Sequence, residues 1–160
     1  MNITAIYPGT FDPITNGHTD IASRAAQIFD NVIVAVARST TKTTAFTIDE
    51  RVSMAKKALA GLDNIVVKSF DGLITSFVRQ QNAKVIVRGL RAVSDFEYEF
   101  QMASMNRRLY DYAETVFLTP AENLSYISSS LVREIVSLGG DVSGFVNPAI
   151  LSALEDRLAD

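Results

Sequence analysis

Ile3-Thr4-Ala5-Ile6-Tyr7-Pro8-Gly9-Thr10-Phe11-Asp12-Pro13-Ile14-Thr15-Asn16-Gly17-His18 is the stretch that decides the fold. Ile3, Ala5 and Tyr7 alternate with their neighbours and predict a short strand. Pro8-Gly9, Pro13 and Asn16-Gly17 then turn the backbone repeatedly. An amphipathic helix follows at once, with Ile21, Ala22, Ala25, Ile28 and Phe29 at helical spacing. His18, the only histidine of the chain, falls on the first turn of that helix. There, unpaired N–H groups and the positive end of the helix dipole face the loop. A glycine-punctuated loop between a strand end and a helix start is a natural anion site. Most such junctions are only turns, so the residue types must carry the rest.

Length and composition narrow the field. At 160 residues and 48% hydrophobic, residues 1–160 read as one domain with a sizeable core. The absence of cysteine excludes disulfides, thiolate metal sites and cysteine nucleophiles; with a single histidine, no metal site is expected in the protein itself. The amino terminus has no charged segment leading into an apolar core, and the longest purely apolar run, residues 32–37, is too short to cross a bilayer. A cytoplasmic location without membrane attachment is expected. The net charge of −3 and pI near 5.2 argue against a nucleic-acid partner. Arg38, Lys42, Arg88 and Arg91 nevertheless all follow predicted strands, which suits a small anionic ligand.

Taken in order, residues 31–37 are a continuous apolar run expected of a strand buried on both faces, and Arg38 to Thr44 reads as a loop. Thr47-Ile48-Asp49-Glu50 is a capping box opening a helix to about Leu59, which Gly61 ends. A third strand is predicted over 65–70 and a third helix over 73–81, carrying Leu73, Phe77 and Val78. Val85-Ile86-Val87 predicts a fourth strand running into Arg88-Gly89-Leu90-Arg91. Ser94 and Glu97 predict a second capping box for a long helix toward Tyr110. Residues 115–119 predict a fifth strand, the serines at 128–130 cap a helix ending near Gly139-Gly140, and Pro148 starts the last one. Five alternations of strand and helix predict a Rossmann-like, doubly wound α/β fold, a five-stranded parallel sheet in a single domain, with ligands beyond the carboxyl ends of the strands.

Several chemistries lack their residues. There is no Gly-x-x-x-x-Gly-Lys-Ser/Thr loop, no Gly-x-Gly-x-x-Gly after the first strand and no Gly-x-Ser-x-Gly elbow. Ile127-Ser128-Ser129-Ser130-Leu131-Val132-Arg133 carries three hydroxyls at a helix start, more than one cap requires, and fits a cradle for β- and γ-phosphates. Arg88 and Arg91 flank Gly-Leu at a strand end, where guanidinium forks grip phosphate bidentately. Lys42 alone signals nothing, and Glu99 on position alone reads as a solvated charge.

Gly-Thr-Phe-Asp-Pro followed by Thr-Asn-Gly-His resembles the signature of the nucleotidyltransferase superfamily, and Ile-Ser-Ser-Ser-x-x-Arg resembles its second motif. With Lys42, Arg-Gly-Leu-Arg-Ala-Val and Asp-Phe-Glu-Tyr-Glu, the resemblance covers nearly the whole chain and is to the phosphopantetheine adenylyltransferase family. It implies a reaction of ATP with 4′-phosphopantetheine to give dephospho-coenzyme A and pyrophosphate in coenzyme A biosynthesis, with Mg²⁺ carried on the triphosphate. By position, it implies ATP contacts from Thr10, Phe11, His18, Gly89, Leu90, Arg91, Glu99, Leu124, Ser125, Tyr126, Ile127, Ser128, Ser129 and Ser130. Thr10, Lys42, Ile74 and Arg88 would hold the phosphopantetheine. A homohexamer and feedback inhibition by coenzyme A are implied in the same way. Leu124 stands where many members have Trp, Ile74 where Met or Leu is common, and Arg133 where some have Lys.

The mechanism expected is in-line attack by the acceptor phosphate on the α-phosphorus of ATP, with no covalent intermediate. His18 would donate to the α-phosphate, Lys42 and Arg88 would orient the acceptor, and Arg91 with Ser129 and Ser130 would steady the pyrophosphate. His18, Lys42, Arg91 and Ser129 are thus the catalytic candidates. A sibling transferase using nicotinate mononucleotide, or glycerol 3-phosphate with CTP, and a non-catalytic nucleotide sensor are the alternative readings. A class I aminoacyl-tRNA synthetase shares both signatures, but the chain has neither room for tRNA-binding modules nor a basic surface.

Overall fold

Val32, Val34 and Val36 face one side of the second strand and Ile33 and Ala35 the other, and every one of them is buried. That is the pattern of a strand covered on both faces, and the parallel sheet around it follows. The computed structural model describes residues 1–38, 41 and 43–159, and of Val93 and Ser94 the backbone alone. The strands are β1 (Thr4–Gly9), β2 (Asn31–Ala37), β3 (Ile65–Phe70), β4 (Val85–Gly89) and β5 (Glu114–Leu118). They run parallel in the order β3-β2-β1-β4-β5.

The chain winds outward from β1 through β2 to β3, then crosses back to β4 and β5, so the order reverses between β1 and β4. Ladder pairing there covers only Ala5↔Val85 and Ile6↔Ile86, although β1 continues to Gly9 and β4 to Gly89. Beyond Ile6 the two strands part, and a crevice opens at their carboxyl ends, where open α/β sheets bind ligands.

The helices are α1 (Asn16–Ile28), α2 (Ile48–Ala58), α3 (Ile74–Gln80), α4 (Val93–Leu109), α5 (Ser129–Ser137) and α6 (Pro148–Leu158), with a single 3₁₀ turn at Glu122–Leu124. The larger core lies on one face, where Tyr7, Val34 and Val87 meet Ile21 and Ala25 of α1, Met54 of α2, Val132 of α5 and Leu154 of α6. Each such side chain contributes about 1.5–3 kcal/mol by leaving water. The other face is thinner: Ile6, Ile33 and Ile86 pack on Phe77 and Val78 of the short α3.

Local chemistry explains the boundaries. Thr47 and Glu50 form the predicted capping box, with Thr47 N–H donating to Glu50 at 2.8 Å. Asn147 caps α6 ahead of Pro148, as expected of proline in a first turn. The end of α5 is a Schellman motif: Gly140 N–H donates to Ile135 O and Gly139 N–H to Val136 O, with Gly139 at φ 83°.

Several expectations are corrected. The N-cap expected at Ser94 is Ala92 instead, because α4 begins at Val93, and the backbone of Ser94 falls inside the first turn. Asp95 accepts the Arg91 N–H instead. Leu73 is the N-cap of α3 and exposed, and Ile28 is exposed at the end of α1, so neither joins the apolar face. Strand β5 begins and ends one residue earlier than predicted. Gly61 lies in the turn after α2, whose C-cap is Leu59.

Candidate active site

The crevice holds a cavity of about 350 Å³, within the range of small-ligand sites. Its walls are the end of β1 and the following loop, the first turn of α1, Thr43 and Thr44, the end of β4 through Arg91, Asp95 and Glu99 of α4, and Ile127 to Ser130 with Arg133. The amino termini of α1 and α5 therefore both open on it, with N–H groups and positive dipole ends directed at one space.

His18 is set by the start of its own helix. Thr15 is the N-cap and His18 the N3 residue of a reciprocal capping box. Thr15 N–H donates to His18 Nδ1 at 3.0 Å, and the Thr15 hydroxyl lies 3.2 Å from the same nitrogen. Burial, and then the nearby Arg91 and Arg88, lower the His18 pKa from 6.5 to about 4. The ring is thus neutral near pH 7. Its edge-on contacts place it in an aromatic row, with Phe11 at 5.0 Å and Tyr7 at 5.4 Å from Phe11. Phe11 takes φ 51° to fold back over Gly9, where a Cβ would meet its ring at 3.0 Å.

Three arginines surround the cavity, each held by one carboxylate. Arg88 forms a fork with Glu99, Nη2 to Oε1 at 2.6 Å and Nε to Oε2 at 2.8 Å, and Nη1 donates to Pro8 O at 3.2 Å. This side chain thereby bridges the gap where β1 and β4 part. Burial would lower the Arg88 pKa, but the bonds and charge of Glu99 outweigh it and raise it. Arg91 donates to Ile127 O at 3.0 Å and faces Asp95 at 3.6 Å. Arg133 donates to Asp12 O at 2.6 Å and to Ser130 Oγ at 3.4 Å, with the Asp12 carboxylate at 3.7 Å. Burial raises the Tyr7 pKa and keeps the phenol protonated.

The three serines divide their work. Ser128 Oγ accepts Leu131 N–H and is the cap. Ser129 Oγ donates to Pro13 O at 2.8 Å and sews α5 to the β1–α1 loop. Ser130 takes the Arg133 contact.

Of the residues expected at a site, Thr10, Phe11, His18, Arg88, Gly89, Arg91, Glu99, Ile127, Ser128, Ser129 and Ser130 line the cavity. Leu90 lies beside them, its N–H donating to Leu118 O. Leu124, Ser125 and Tyr126 are not among the lining residues. Leu124 packs on the larger core, with its carbonyl 3.5 Å from where a Gly17 Cβ would stand, and Tyr126 is exposed with its ring near Phe145. Ile74 opens α3, packs on the thin-face core and is not among the lining residues. Lys42 lies outside the described residues. Glu99 is no solvated charge: it is 8% exposed and engaged by Arg88.

Sequence reasoning left out Asp12, Thr15, Arg51, Asp95 and Arg133 as site residues. Thr15 stands three residues before His18, a capping-box spacing with His in place of Glu or Gln. Arg51 shares the inward stripe of α2 with Met54 and Ala55, a charge where an apolar residue is expected.

The family model described as cytidylyltransferase-like matches residues 6–135. A phosphopantetheine adenylyltransferase of Thioalkalivibrio sulfidiphilus (strain HL-EbGR7) is 60% identical over 158 residues, 99% of each chain. A solved structure from Vibrio parahaemolyticus, provisionally described as a nicotinate-nucleotide adenylyltransferase, superposes with a TM-score of 0.74 at 17% identity, covering 96% of this chain and 99% of its own. That last likeness is one of fold alone. The match in sequence covers nearly the whole of both chains, so the chain belongs to the phosphopantetheine adenylyltransferase family of cytidylyltransferase-like nucleotidyltransferases.

Proposed function

We propose that the chain transfers the adenylyl group of ATP to the phosphate of 4′-phosphopantetheine, giving dephospho-coenzyme A and pyrophosphate. A phosphate oxygen of the acceptor attacks the α-phosphorus in line. The bond from that phosphorus to the α,β-bridging oxygen breaks, and its electrons leave with pyrophosphate. The acceptor is already anionic, so the site supplies alignment and charge neutralisation rather than a base.

The observation that carries this reading is the neutral His18, whose Nδ1 is occupied by Thr15 N–H and whose Nε2 proton is left to donate at a cavity ringed by arginines. In its proposed role it donates to the α-phosphate as charge builds there. Arg88 keeps N–H groups beyond the three it has committed, and with Thr10, Lys42 and Ile74 it would hold the phosphopantetheine. Arg91, Ser129, Ser130 and the amides opening α5 would steady the pyrophosphate, while Phe11, Gly89, Leu90, Glu99 and residues 124–128 complete the nucleotide site. Because each arginine is already held by a carboxylate, little side-chain order remains to be lost on binding.

Mg²⁺ would arrive with the triphosphate. Asp12, Asp95 and Glu99 at the cavity are each engaged by protein donors, which fits an ion whose ligands come chiefly from phosphate and water. Coenzyme A keeps the frame of the product and would compete for the same cavity as a feedback inhibitor.

Self-association belongs to the same proposal, as a hexamer. Tyr98, Met102, Met105 and Leu109 form a stripe at heptad spacing along α4 and are all exposed, with Phe96 and Phe100 beside them. A second copy of the same helix is the partner such a stripe fits. Among the described residues no helix is long and apolar enough to cross a membrane. The cytoplasm, without a nucleic-acid or membrane partner, is the proposed setting.

The test is pyrophosphate release from ATP and Mg²⁺ with 4′-phosphopantetheine, nicotinate mononucleotide or glycerol 3-phosphate offered separately. Release with phosphopantetheine alone is expected. Release only with another acceptor would overturn the roles given to Lys42 and Arg88, and ATP binding without release would favour a nucleotide sensor.

A further inference from the structure

Arg51 is among the most completely buried large side chains, at 2% exposure, on the inward face of α2. Its Nη1 donates to Thr10 O at 2.8 Å and to Ala37 O at 2.9 Å, and its Nε donates to Phe46 O at 3.2 Å. Across the same segment the buried Asp12 carboxylate accepts Phe46 N–H at 3.0 Å and Ala45 N–H at 2.8 Å. The main chain of Phe46 is therefore gripped on both sides, its N–H by Asp12 and its carbonyl by Arg51.

Stability alone does not call for this arrangement. A buried guanidinium is costly unless fully hydrogen-bonded, and an apolar residue of similar volume often serves a core as well or better. What the charge obtains is a fixed spacing between three backbone segments: the loop after β1, the end of β2, and the approach to α2. Thr10, Thr43 and Thr44, which these segments carry, form one wall of the cavity.

The geometry points to Asp12 and Arg51 as positioning residues for adenylyl transfer, a clasp that sets the Thr10 and Thr43–Thr44 wall against the anionic groups of the substrates. They act through the main chain of Thr10, Ala45 and Phe46. The inference rests on the adenylyl-transfer reading and falls with it.

The test uses the full chain carrying Asp12→Asn, Arg51→Lys or Arg51→Met, with steady-state kinetics, calorimetric ATP binding and thermal melts. Misplacing one wall of a two-substrate site should lower kcat roughly 10–100-fold while ATP affinity, which draws also on β4 and α5, stays within about threefold. Lys reaches some of the three carbonyls and should recover part of the loss seen with Met. Should Arg51→Met fail to fold, Asp12→Asn and Arg51→Lys carry the test. Folded Asp12→Asn and Arg51→Lys proteins with wild-type kcat would overturn the clasp. So would kcat and ATP affinity falling together in proportion to the unfolded fraction. Failure of the wild-type chain to form dephospho-coenzyme A would instead refute the reaction, and the clasp with it.

Discussion

The peptide N–H of Thr15 donates to Nδ1 of His18 at 3.0 Å, and this single bond chooses the tautomer of the only histidine in the chain. A peptide N–H cannot accept, so Nδ1 must present its lone pair and the proton of the neutral ring sits on Nε2. The bond is also half of a helix capping box. Helix initiation and the proposed catalytic donor are thus one structure.

With one histidine, a ring-carbon NMR titration has a single resonance to follow. Its midpoint is expected near 4, well below the ordinary value of about 6.5, with nitrogen shifts reporting Nε2–H. The linkage has a definite sign. Above about pH 6.5 both folded and unfolded chains carry neutral His18 and it contributes no pH dependence. As pH falls from there toward 4 the unfolded chain takes up the proton first, so stability declines across that window and levels below it. The fall in melting temperature from pH 7 to 4.5 should therefore be smaller in His18→Asn than in wild type. A midpoint near 6.5 would sink the pH window, and nitrogen shifts reporting Nδ1–H would sink the tautomer argument.

His18→Ala removes both the donor and half of the cap. Turnover should fall on the order of 10²–10³-fold. Loss of the cap should cost about 1 kcal/mol, or roughly 2–4 °C in melting temperature. Thr15→Val keeps the peptide N–H and loses only the hydroxyl, so it should show a similar thermal loss with most of the turnover retained. If the two variants lose turnover equally, the hydroxyl and not the N–H governs the ring.

Glu99→Gln tests the Arg88 fork. The two side chains are 33% and 10% exposed, so the pair stands between an exposed one, worth up to about 1 kcal/mol, and a fully buried one, whose breakage costs about 3–5 kcal/mol. A loss near 2 kcal/mol is expected, about 4–8 °C by calorimetry. Because Glu99 holds Arg88, KM for phosphopantetheine should rise more than KM for ATP. A rise confined to ATP would assign Glu99 to the nucleotide itself.

The stripe on α4 predicts the assembly surface. Tyr98 and Met105 are 61% and 59% exposed, and placing Glu at both should dissociate the assembly, read as mass by light scattering after gel filtration. Unchanged mass would remove α4 from the interface. A monomeric wild type would remove self-association from the proposal.

Much of the fold was legible because its signals are local. The continuous apolar run of β2, the Thr47–Glu50 box, Pro148 and the Gly139-Gly140 stop each act within a few residues, and each works as the sequence indicates. Leu73 misled because hydrophobicity at an element end does not say which side of the cap a residue falls on, and Ile28 because spacing alone does not say how far along a helix its packed face extends. Glu99 misled because its partner Arg88 lies on another element, eleven positions away. Arg51 was legible only as an anomaly, a charge in an apolar stripe, since all three of its acceptors are backbone atoms of other segments.

By itself the sequence determined the order and kind of the elements, the parallel sheet that such alternation demands, and the family, through motifs whose residues are contiguous. Only the tertiary structure decided how the charges are shared. The spaces between Arg88 and Glu99, Arg133 and Asp12, and Arg51 and Phe46 are set by where β1 and β4 part and by how α2, α4 and α5 lean over that gap. Periodicity and capping act within a turn or a pleat and can be read along the chain. The pairing of buried charges depends on distances across the fold, and those exist only once the chain has closed on itself.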